Sequence, residues 1–131
     1  MKALPFHYLL VFVLTLSCGS HHHVIHDAEK TGILDNFKRQ KECWNNGDLK
    51  CYMEAYMATP NVQTISRAGV TLGKSNILAQ YMKYFPPDKM GNLEFDNFTF
   101  KKLSPKFIYV VGRFNLDFSN QDKINQGWFS V

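Results

Sequence analysis

The residues best suited to carry out chemistry lie in one strand-like segment near the end of the chain. In residues 109–118, apolar side chains alternate with Val111, Arg113, Asn115 and Asp117, and successive side chains of a strand point to opposite faces. If the polar row faces a cavity, Asp117 could move a proton on a ligand held by Arg113 and Asn115. If the apolar row faces the interior, Asp117 pairs with Arg113 on the outer face. We favour the second arrangement, because apolar helix faces must be buried against something apolar.

Histidine, the commonest general base near neutral pH, is absent from the part of the chain that we expect to fold. The five histidines are His7, His21, His22, His23 and His26. The last four form a cluster that could bind a transition metal, but no cysteine or paired carboxylates complete a site, so a solvated tether is the favoured interpretation. We therefore expect no metal and no cofactor, and we expect binding rather than enzymatic activity.

The first 17 residues have the features of a secretory signal peptide, namely an early lysine, a short apolar run and a small-residue exit. The run is too short to span a bilayer as a helix, which needs about 20 apolar residues. Cys18, between Leu-Ser and Gly-Ser, resembles the lipidated cysteine of bacterial lipoproteins, although Thr15 stands where leucine is usual. The resemblance implies cleavage before Cys18, a lipid on its thiol, and a flexible tether over residues 18–30 at a membrane of the cell envelope. A periplasmic or secreted protein without a lipid is the alternative.

Cys43 and Cys51 are the remaining cysteines, and they fall near the end of one predicted helix and the start of the next. A disulfide is chemically possible in an exported protein. Packing as small apolar groups is the more frequent outcome for such residues, and we favour packing without a bond.

Hydrophobic periodicity predicts helices in the first half of the chain and mainly strands in the second. The predicted helices are residues 27–45, residues 48–58 (capped by Asp48), and a third that Ser75 caps and Pro86 ends; short strands at residues 62–65 and 70–72 precede the third helix. Long strands at residues 93–103 and 106–118 form a hairpin, and a last strand begins at Gly127. This order is typical of an α+β fold with its helices on one face of an antiparallel sheet.

Aromatic side chains are concentrated on the predicted helix faces and on the second long strand. They would supply an apolar pocket with a few hydroxyl groups, as small-molecule sites usually have. Aromatic stripes on helices also occur as plain core, and the sequence leaves that alternative open. The residues concerned are Trp44, Tyr52, Tyr56, Tyr81, Tyr84 and Phe114.

Three segments, in this order, resemble the nuclear transport factor two-like superfamily and in particular its SnoaL-like branch. They are W-N-N-G-D-L from Trp44, G-V-T-L-G-K-S-N-I-L from Gly69 and V-V-G-R-F-N-L from Val110. The resemblance implies that residues 31–131 form a cone in which three helices pack on a curved antiparallel sheet, with a pocket between them and dimers through the outer sheet face. The family pattern continues beyond the final G-W-F-S-V, so the resemblance also implies that the last strands are missing.

The resemblance also bears on catalysis. Ketosteroid isomerase, a relative in this superfamily, uses a tyrosine hydroxyl and an aspartate, and the matching positions here are Gln40 and about Thr64. An uncharged threonine cannot accept a proton near neutral pH, so we do not expect isomerase activity of that type.

Three functional hypotheses result. The first is a lipid-anchored module that binds an apolar or amphipathic small molecule. The second is a small isomerase, hydratase or cyclase that works through Asp117, and the third is an accessory module that binds a protein partner through its sheet face. Nucleic acid is not an expected partner, because the basic residues behind the formal net charge of +4 are scattered along the chain.

Overall fold

The computed structural model describes residues 23–66, 69–118 and 123–131. The described residues form three α-helices and five strands, with two short 3₁₀ turns, and the predicted α+β class is confirmed. The elements are α1 (Asp27–Asn45), α2 (Leu49–Tyr52), a 3₁₀ turn (Met53–Ala55), β1 (Gln63–Ser66), β2 (Gly69–Leu72), α3 (Lys74–Tyr84), a second 3₁₀ turn (Pro87–Lys89), β3 (Asn92–Ser104), β4 (Phe107–Phe118) and β5 (Lys123–Ser130).

The strands form two antiparallel sheets. In the larger sheet β4 lies between β3 and β5, and in the smaller one β1 pairs only with β2. We expected one continuous layer, and the described strands instead place the short hairpin apart from the long one. The register of β3 against β4 shifts between Asp96 and Thr99, where Asn97 has a positive φ of 53°. An irregularity of this kind bends a sheet, and α1 packs against this sheet at β3.

Helix α1 has the bounds that its sequence predicts. At its start the His26 amide donates to Glu29 Oε2 at 2.9 Å, and the Glu29 amide donates to the His26 carbonyl at 3.0 Å. The Lys102 ammonium of β3 donates to both Glu29 carboxylate oxygens at 2.6 and 2.8 Å. Residues 27–30, which we assigned to the tether, therefore belong to the folded part. None of the described helices is long and apolar enough to cross a membrane.

Helix α2 starts where its cap predicts and ends earlier than expected. Asp48 Oδ1 accepts a hydrogen bond from the Cys51 amide at 3.0 Å, as predicted for a capping residue. The helix ends at Tyr52, passes into a 3₁₀ turn, and leaves Tyr56 extended with φ −84° and ψ 133°. The Lys74 ammonium donates to the Tyr56 carbonyl at 3.1 Å. A contact from α3 thus supplies the hydrogen bond of this carbonyl after the helix has ended.

Helix α3 begins one residue before Ser75, and the predicted serine cap is wrong. Its N-cap is Gly73 with φ 83°, and no side chain caps its first turn. The Asn76 side chain instead donates to the Leu72 carbonyl at 2.9 Å, which fastens the start of the helix to β2. Ile77 is fully buried against the core.

A disulfide joins Cys43 of α1 to Cys51 of α2, and our preference for unbonded cysteines is wrong. The two Cα atoms are 5.5 Å apart and the residues are eight positions apart in sequence. The chain turns back between the two helices, and this reversal brings the side chains together. Each cysteine precedes an aromatic residue of the core, Trp44 in one case and Tyr52 in the other.

The apolar row of β4 faces the helices, as we favoured from its sequence. Val110 and Leu116 are buried, together with Leu93 of β3. Two glycines on this inner face allow aromatic rings to lie directly on the sheet. A Cβ atom at Gly127 would stand 2.8 Å from the Phe114 ring, and one at Gly112 would stand 2.5 Å from the Phe129 ring. These positions therefore require glycine for close approach rather than for an unusual backbone angle.

Candidate functional site

Trp44, on the last turn of α1, is the centre of the candidate site. Its side chain is 3% exposed, and its indole Nε1 donates to the Met90 and Gly91 carbonyls at 3.2 Å each. Next to it the Asn45 side chain accepts from the Leu93 amide at 2.7 Å and donates to the Leu93 carbonyl at 3.1 Å. Side chains of α1 thus hydrogen-bond to the backbone amide and carbonyl groups where the chain enters β3. These hydrogen bonds hold the indole ring in its buried position.

Four further rings pack around Trp44, and we call the group the aromatic cluster. Trp44 lies edge-on to its neighbours, with ring centroids 5.2 Å from Tyr52, 6.1 Å from Tyr81 and 5.1 Å from Phe85. Such separations and angles are those that aromatic pairs prefer. The cluster consists of Trp44, Tyr52, Tyr56, Tyr81 and Phe85, and its rings come from α1, α2, the turn after α2 and the end of α3.

The polar part of the cluster is a pair of phenolic hydroxyls. Tyr56 Oη and Tyr81 Oη lie 3.2 Å apart, and either can donate to the other. Burial, with a smaller effect of the neighbouring phenols, raises the pKa of Tyr56 far above its ordinary value of 10.0, and burial likewise raises the pKa of Tyr52. The Tyr52 and Tyr56 hydroxyls therefore stay protonated near neutral pH, where they can donate hydrogen bonds and cannot act as bases.

Phe114 stands on the sheet side of the cluster. It lies half-buried on the inner face of β4 and packs against the buried core, together with Phe95 of β3 and Phe118 of β4. A second group of rings continues along the same face, where Phe37 of α1 has centroid distances of 4.9 Å to Phe98 and 5.3 Å to Phe129. Helices and sheet thus present aromatic rings to each other along the whole inner face.

Of the six residues predicted to line a pocket, five meet in or beside this cluster and Tyr84 does not. Tyr84 is 56% exposed at the end of α3, where the Lys83 ammonium lies 5.4 Å from its ring centroid. Its place is taken by Phe85, which we did not select. The signal was present in the sequence, because Phe85 continues the apolar stripe of α3 immediately before Pro86 ends it.

Gln40 is the buried polar residue of α1. Its side-chain amide donates to the Tyr52 carbonyl at 3.3 Å, so it connects α1 to α2 beneath the cluster. Thr64 lies half-buried on β1. The structure therefore gives the position of the isomerase tyrosine a helix-connecting role.

Asp117 is exposed on the outer row of β4, and the predicted pair between Asp117 and Arg113 is wrong. The Arg113 guanidinium binds Asp96 through two hydrogen bonds of 2.8 Å, and Asn115 donates to the same carboxylate at 2.9 Å. Asp96 stands directly opposite Arg113 in the register of β3 and β4. Asp117 is four residues further along the same strand, which is about 13 Å in an extended chain. Hydrogen bonding from Arg113 holds the pKa of Asp96 below its ordinary value.

The histidine cluster provides no metal site in the part of the chain that the structure describes. His23 and His26 are exposed, and no group of three or more potential ligands from histidine, cysteine, aspartate and glutamate occurs among the described residues. His21, His22 and the lipidation candidate Cys18 lie outside the described residues.

The chain is similar to the solved structure of an NTF-2-like protein of unknown function from Shewanella oneidensis MR-1. The two chains are 32% identical and superpose with a TM-score of 0.71, and the match covers 78% of this chain and 84% of that one. No model of a protein family and no curated protein matches the chain.

Proposed function

This chain belongs to the NTF-2-like family of proteins, and on that premise we propose that its folded part binds a small apolar or amphipathic molecule, while a lipid on Cys18 holds it at the cell envelope. Family membership confirms the predicted nuclear transport factor two-like fold, in which helices and a curved sheet form a ligand-binding type of domain. Assignment to the SnoaL-like branch stays a prediction.

The observation that carries the proposal is the hydroxyl pair of Tyr56 and Tyr81 within the aromatic cluster. Tyr56 and Tyr81 share one hydrogen bond, and the neighbouring Tyr52 hydroxyl also interacts with both of them. Each phenolic oxygen has two lone pairs, and those that these contacts leave over can accept a hydrogen bond from a ligand. Both side chains are half-buried, so the pair lies at the border of the core. A few polar groups in an otherwise apolar aromatic wall are typical of small-molecule sites.

The same geometry favours binding over catalysis. Tyrosines whose pKa is raised by burial donate hydrogen bonds but do not remove protons near pH 7. Asp117, the carboxylate of the enzymatic alternative, is exposed and lies on the outer side of the sheet. We therefore expect the ligand to be an uncharged molecule with a ring or alkyl body and one hydrogen-bonding oxygen.

Trp44 provides the readout for this proposal. The chain has two tryptophans, and Trp128 is exposed on β5, so the variant Trp128→Phe leaves Trp44 as the sole tryptophan reporter. We expect p-cresol to change the Trp44 emission in a saturable manner and to bind more tightly than p-xylene, which has the same shape without a hydroxyl. The double change Tyr56→Phe/Tyr81→Phe should weaken p-cresol binding about fivefold and leave p-xylene binding unchanged, since a neutral hydrogen bond contributes about 1 kcal/mol.

Tyr84→Phe is the matched control, because Tyr84 lies outside the cluster and its loss of a hydroxyl should change neither affinity. The proposal fails if neither probe produces saturable binding. It also fails if the double variant and the control lose p-cresol affinity equally, because the hydroxyl pair would then have no specific role.

The lipid anchor has its own test. We expect the mature protein isolated from its native membrane to begin at Cys18 and to have a mass that exceeds the peptide mass by a diacylglyceryl group and acyl chains. Cys18→Ser should release the protein from the membrane fraction, since several acyl chains at about 0.8 kcal/mol per buried methylene are what would retain it. A mature chain that begins elsewhere without a lipid contradicts the anchor and leaves the binding proposal intact.

A protein partner on the outer sheet face is the second candidate. Trp128 of β5 is 65% exposed there, and it stands opposite Arg113 of β4 in the strand register. Exposed aromatic side chains next to an arginine are typical of protein interfaces. We propose a second copy of the chain as this partner.

A further inference from the structure

A cavity of about 590 Å³ lies near the start of α1, whereas the aromatic cluster lies near the end of that helix. The segment before α1 forms one of its walls, and the last residues of β3 form the other. The lining combines apolar side chains with basic ones. The apolar residues are Val24, Ile25, Phe100 and Leu103, and the basic residues are His23, Lys30, Lys101 and Lys102. The cavity therefore joins the start of the described chain to the tip of the long hairpin.

The surface around this cavity exposes large apolar side chains beside lysines. Val24 is 70% exposed, and in the hairpin Leu103 and Phe107 are 55% and 67% exposed. Lys101 and Lys106 are also exposed. We call this surface the basic hairpin end and define it by Val24, Lys30, Lys101, Leu103, Lys106 and Phe107.

The charge of the basic hairpin end is positive. Lys102 is neutralised by Glu29 at 2.6 Å, and Lys30 lies 4.0 Å from Asp27. Among the described residues, no carboxylate comes within salt-bridge distance of Lys101 or Lys106. Two uncompensated ammonium groups thus flank the exposed Leu103 and Phe107 side chains.

The basic hairpin end lies a short chain length from Cys18, and this proximity points to a membrane as its binding partner. His23 follows Cys18 by five positions, and five extended residues span at most about 17 Å. If Cys18 carries a lipid, as the proposed function holds, the basic hairpin end must lie close to the headgroups of the bilayer. Lysines beside exposed apolar side chains are what an anionic membrane surface attracts, through charge and through insertion of the apolar groups.

We propose that the basic hairpin end docks on an anionic phospholipid surface, with Lys101 and Lys106 at the headgroups and Leu103 and Phe107 inserted between them. Docking sets the orientation of the anchored protein. It places the membrane at the hairpin tip and the start of α1, and it leaves the aromatic cluster directed away from the bilayer plane.

The test uses the mature chain from residue 18 with Cys18→Ser, which cannot carry a lipid. We expect it to sediment with phosphatidylcholine vesicles that contain phosphatidylglycerol, to do so less as salt is added, and not to sediment with phosphatidylcholine alone. Lys101→Glu/Lys106→Glu should weaken this association about 25-fold or more, at about fivefold for each lysine removed from an anionic surface.

Lys38→Glu/Lys50→Glu is the matched control, since both lysines are exposed on helices and the change in net charge is the same. It should keep at least half of the wild-type association. Phe107→Ser tests insertion against Met57→Ser, another exposed apolar side chain, and only Phe107→Ser should weaken association. Circular dichroism of each variant checks that it is folded.

Equal loss in the two lysine double variants would overturn the proposal, because general charge would then explain the association. Equal sedimentation with and without phosphatidylglycerol would overturn it as well. The outcome is separable from the lipid on Cys18: mass spectrometry of the native N-terminus decides the anchor, and vesicle sedimentation of the unlipidated chain decides the docking surface.

Discussion

At the scale of single residues, Trp44 both packs in the core and donates hydrogen bonds to backbone carbonyls. Its indole N–H serves two carbonyls where the chain turns into β3, and its ring contacts three other rings of the cluster. Gly91, whose carbonyl is one of the two acceptors of the indole N–H, has φ 69°, and a Cβ there would stand 2.8 Å from the Asp117 carbonyl oxygen. The Trp44 indole and Gly91 therefore both depend on the close packing of the backbone immediately before β3.

We predict that Trp44→Phe lowers the free energy of unfolding by about 2 to 4 kcal/mol. The change removes the donor from two buried carbonyls and leaves a small void in the core. Urea unfolding followed by circular dichroism measures the effect. Tyr84→Phe is the control, and because Tyr84 is exposed its effect should stay within about 0.5 kcal/mol; comparable losses in both variants would contradict a central role for Trp44.

The Asp96 carboxylate predicts how stability depends on acid. Its folded pKa is held below the ordinary value of 3.8, chiefly by hydrogen bonding from Arg113. Below pH 3.8 the unfolded chain therefore binds a proton at this position more readily than the folded one, and stability is lost as the pH falls through the folded pKa. We predict that unfolding free energies measured between pH 5 and pH 2.5 fall less steeply for Asp96→Asn than for the wild type. An unchanged slope would show that this carboxylate is not coupled to folding.

At the scale of elements, the disulfide determines how α1 and α2 meet. Cys43 and Cys51 immediately precede Trp44 and Tyr52, whose rings lie 5.2 Å apart. The bond therefore restrains the two helix segments that carry the centre of the aromatic cluster. It also closes a short loop across the turn at Gly47, and closing such a loop restricts the unfolded chain.

We predict that Cys43→Ala/Cys51→Ala lowers the free energy of unfolding by about 2.5 kcal/mol, the entropy expected for a loop of this length. A reductant should destabilise the wild type by a similar amount and leave the double variant unchanged. The urea midpoint of each protein with and without dithiothreitol provides the measurement. A wild-type midpoint that does not respond to reductant would contradict the restraint.

Local signals in the sequence predicted most of the elements. The bounds of α1, the Asp48 cap and the apolar row of β4 follow from capping chemistry and periodicity, which act over a few residues. The extended backbone at Tyr56, which follows the early end of α2, is bound through its carbonyl by Lys74, 18 positions away in sequence. The disulfide depends in the same way on how two helices are oriented. These features could not be predicted because they arise from packing between elements.

In the candidate site, too, local sequence signals predicted some features, while others depend on contacts between elements. Five of the six predicted aromatic residues meet because helix faces and strand faces are periodic, whereas Tyr84 at the end of α3 is directed to solvent. The partner of Arg113 required knowledge of the register between β3 and β4, which contains a shift next to Asp96. Alternation within one strand identified the polar row correctly and could not identify which carboxylate of the neighbouring strand it would meet.

At the scale of the whole molecule, the larger sheet separates two different surfaces. Its inner face carries phenylalanines that pack against α1 and the aromatic cluster. Its outer face carries the Asp96, Arg113 and Asn115 network together with Trp128 and Tyr109. An exposed tryptophan opposite an arginine has the composition typical of a protein interface.

We predict that the chain forms a dimer through this outer face and that Trp128→Glu separates it. A two-fold interface uses the same patch on both copies, so one substitution changes both sides and introduces two buried carboxylates. The dissociation constant from analytical ultracentrifugation should rise about thirtyfold or more, as expected for loss of a central aromatic contact. Met57→Glu is the control, because Met57 is equally exposed but follows α2 rather than lying on the sheet, and it should leave the dimer intact. A wild-type chain that stays monomeric at high concentration would contradict the prediction and would leave the aromatic outer face to a different protein partner.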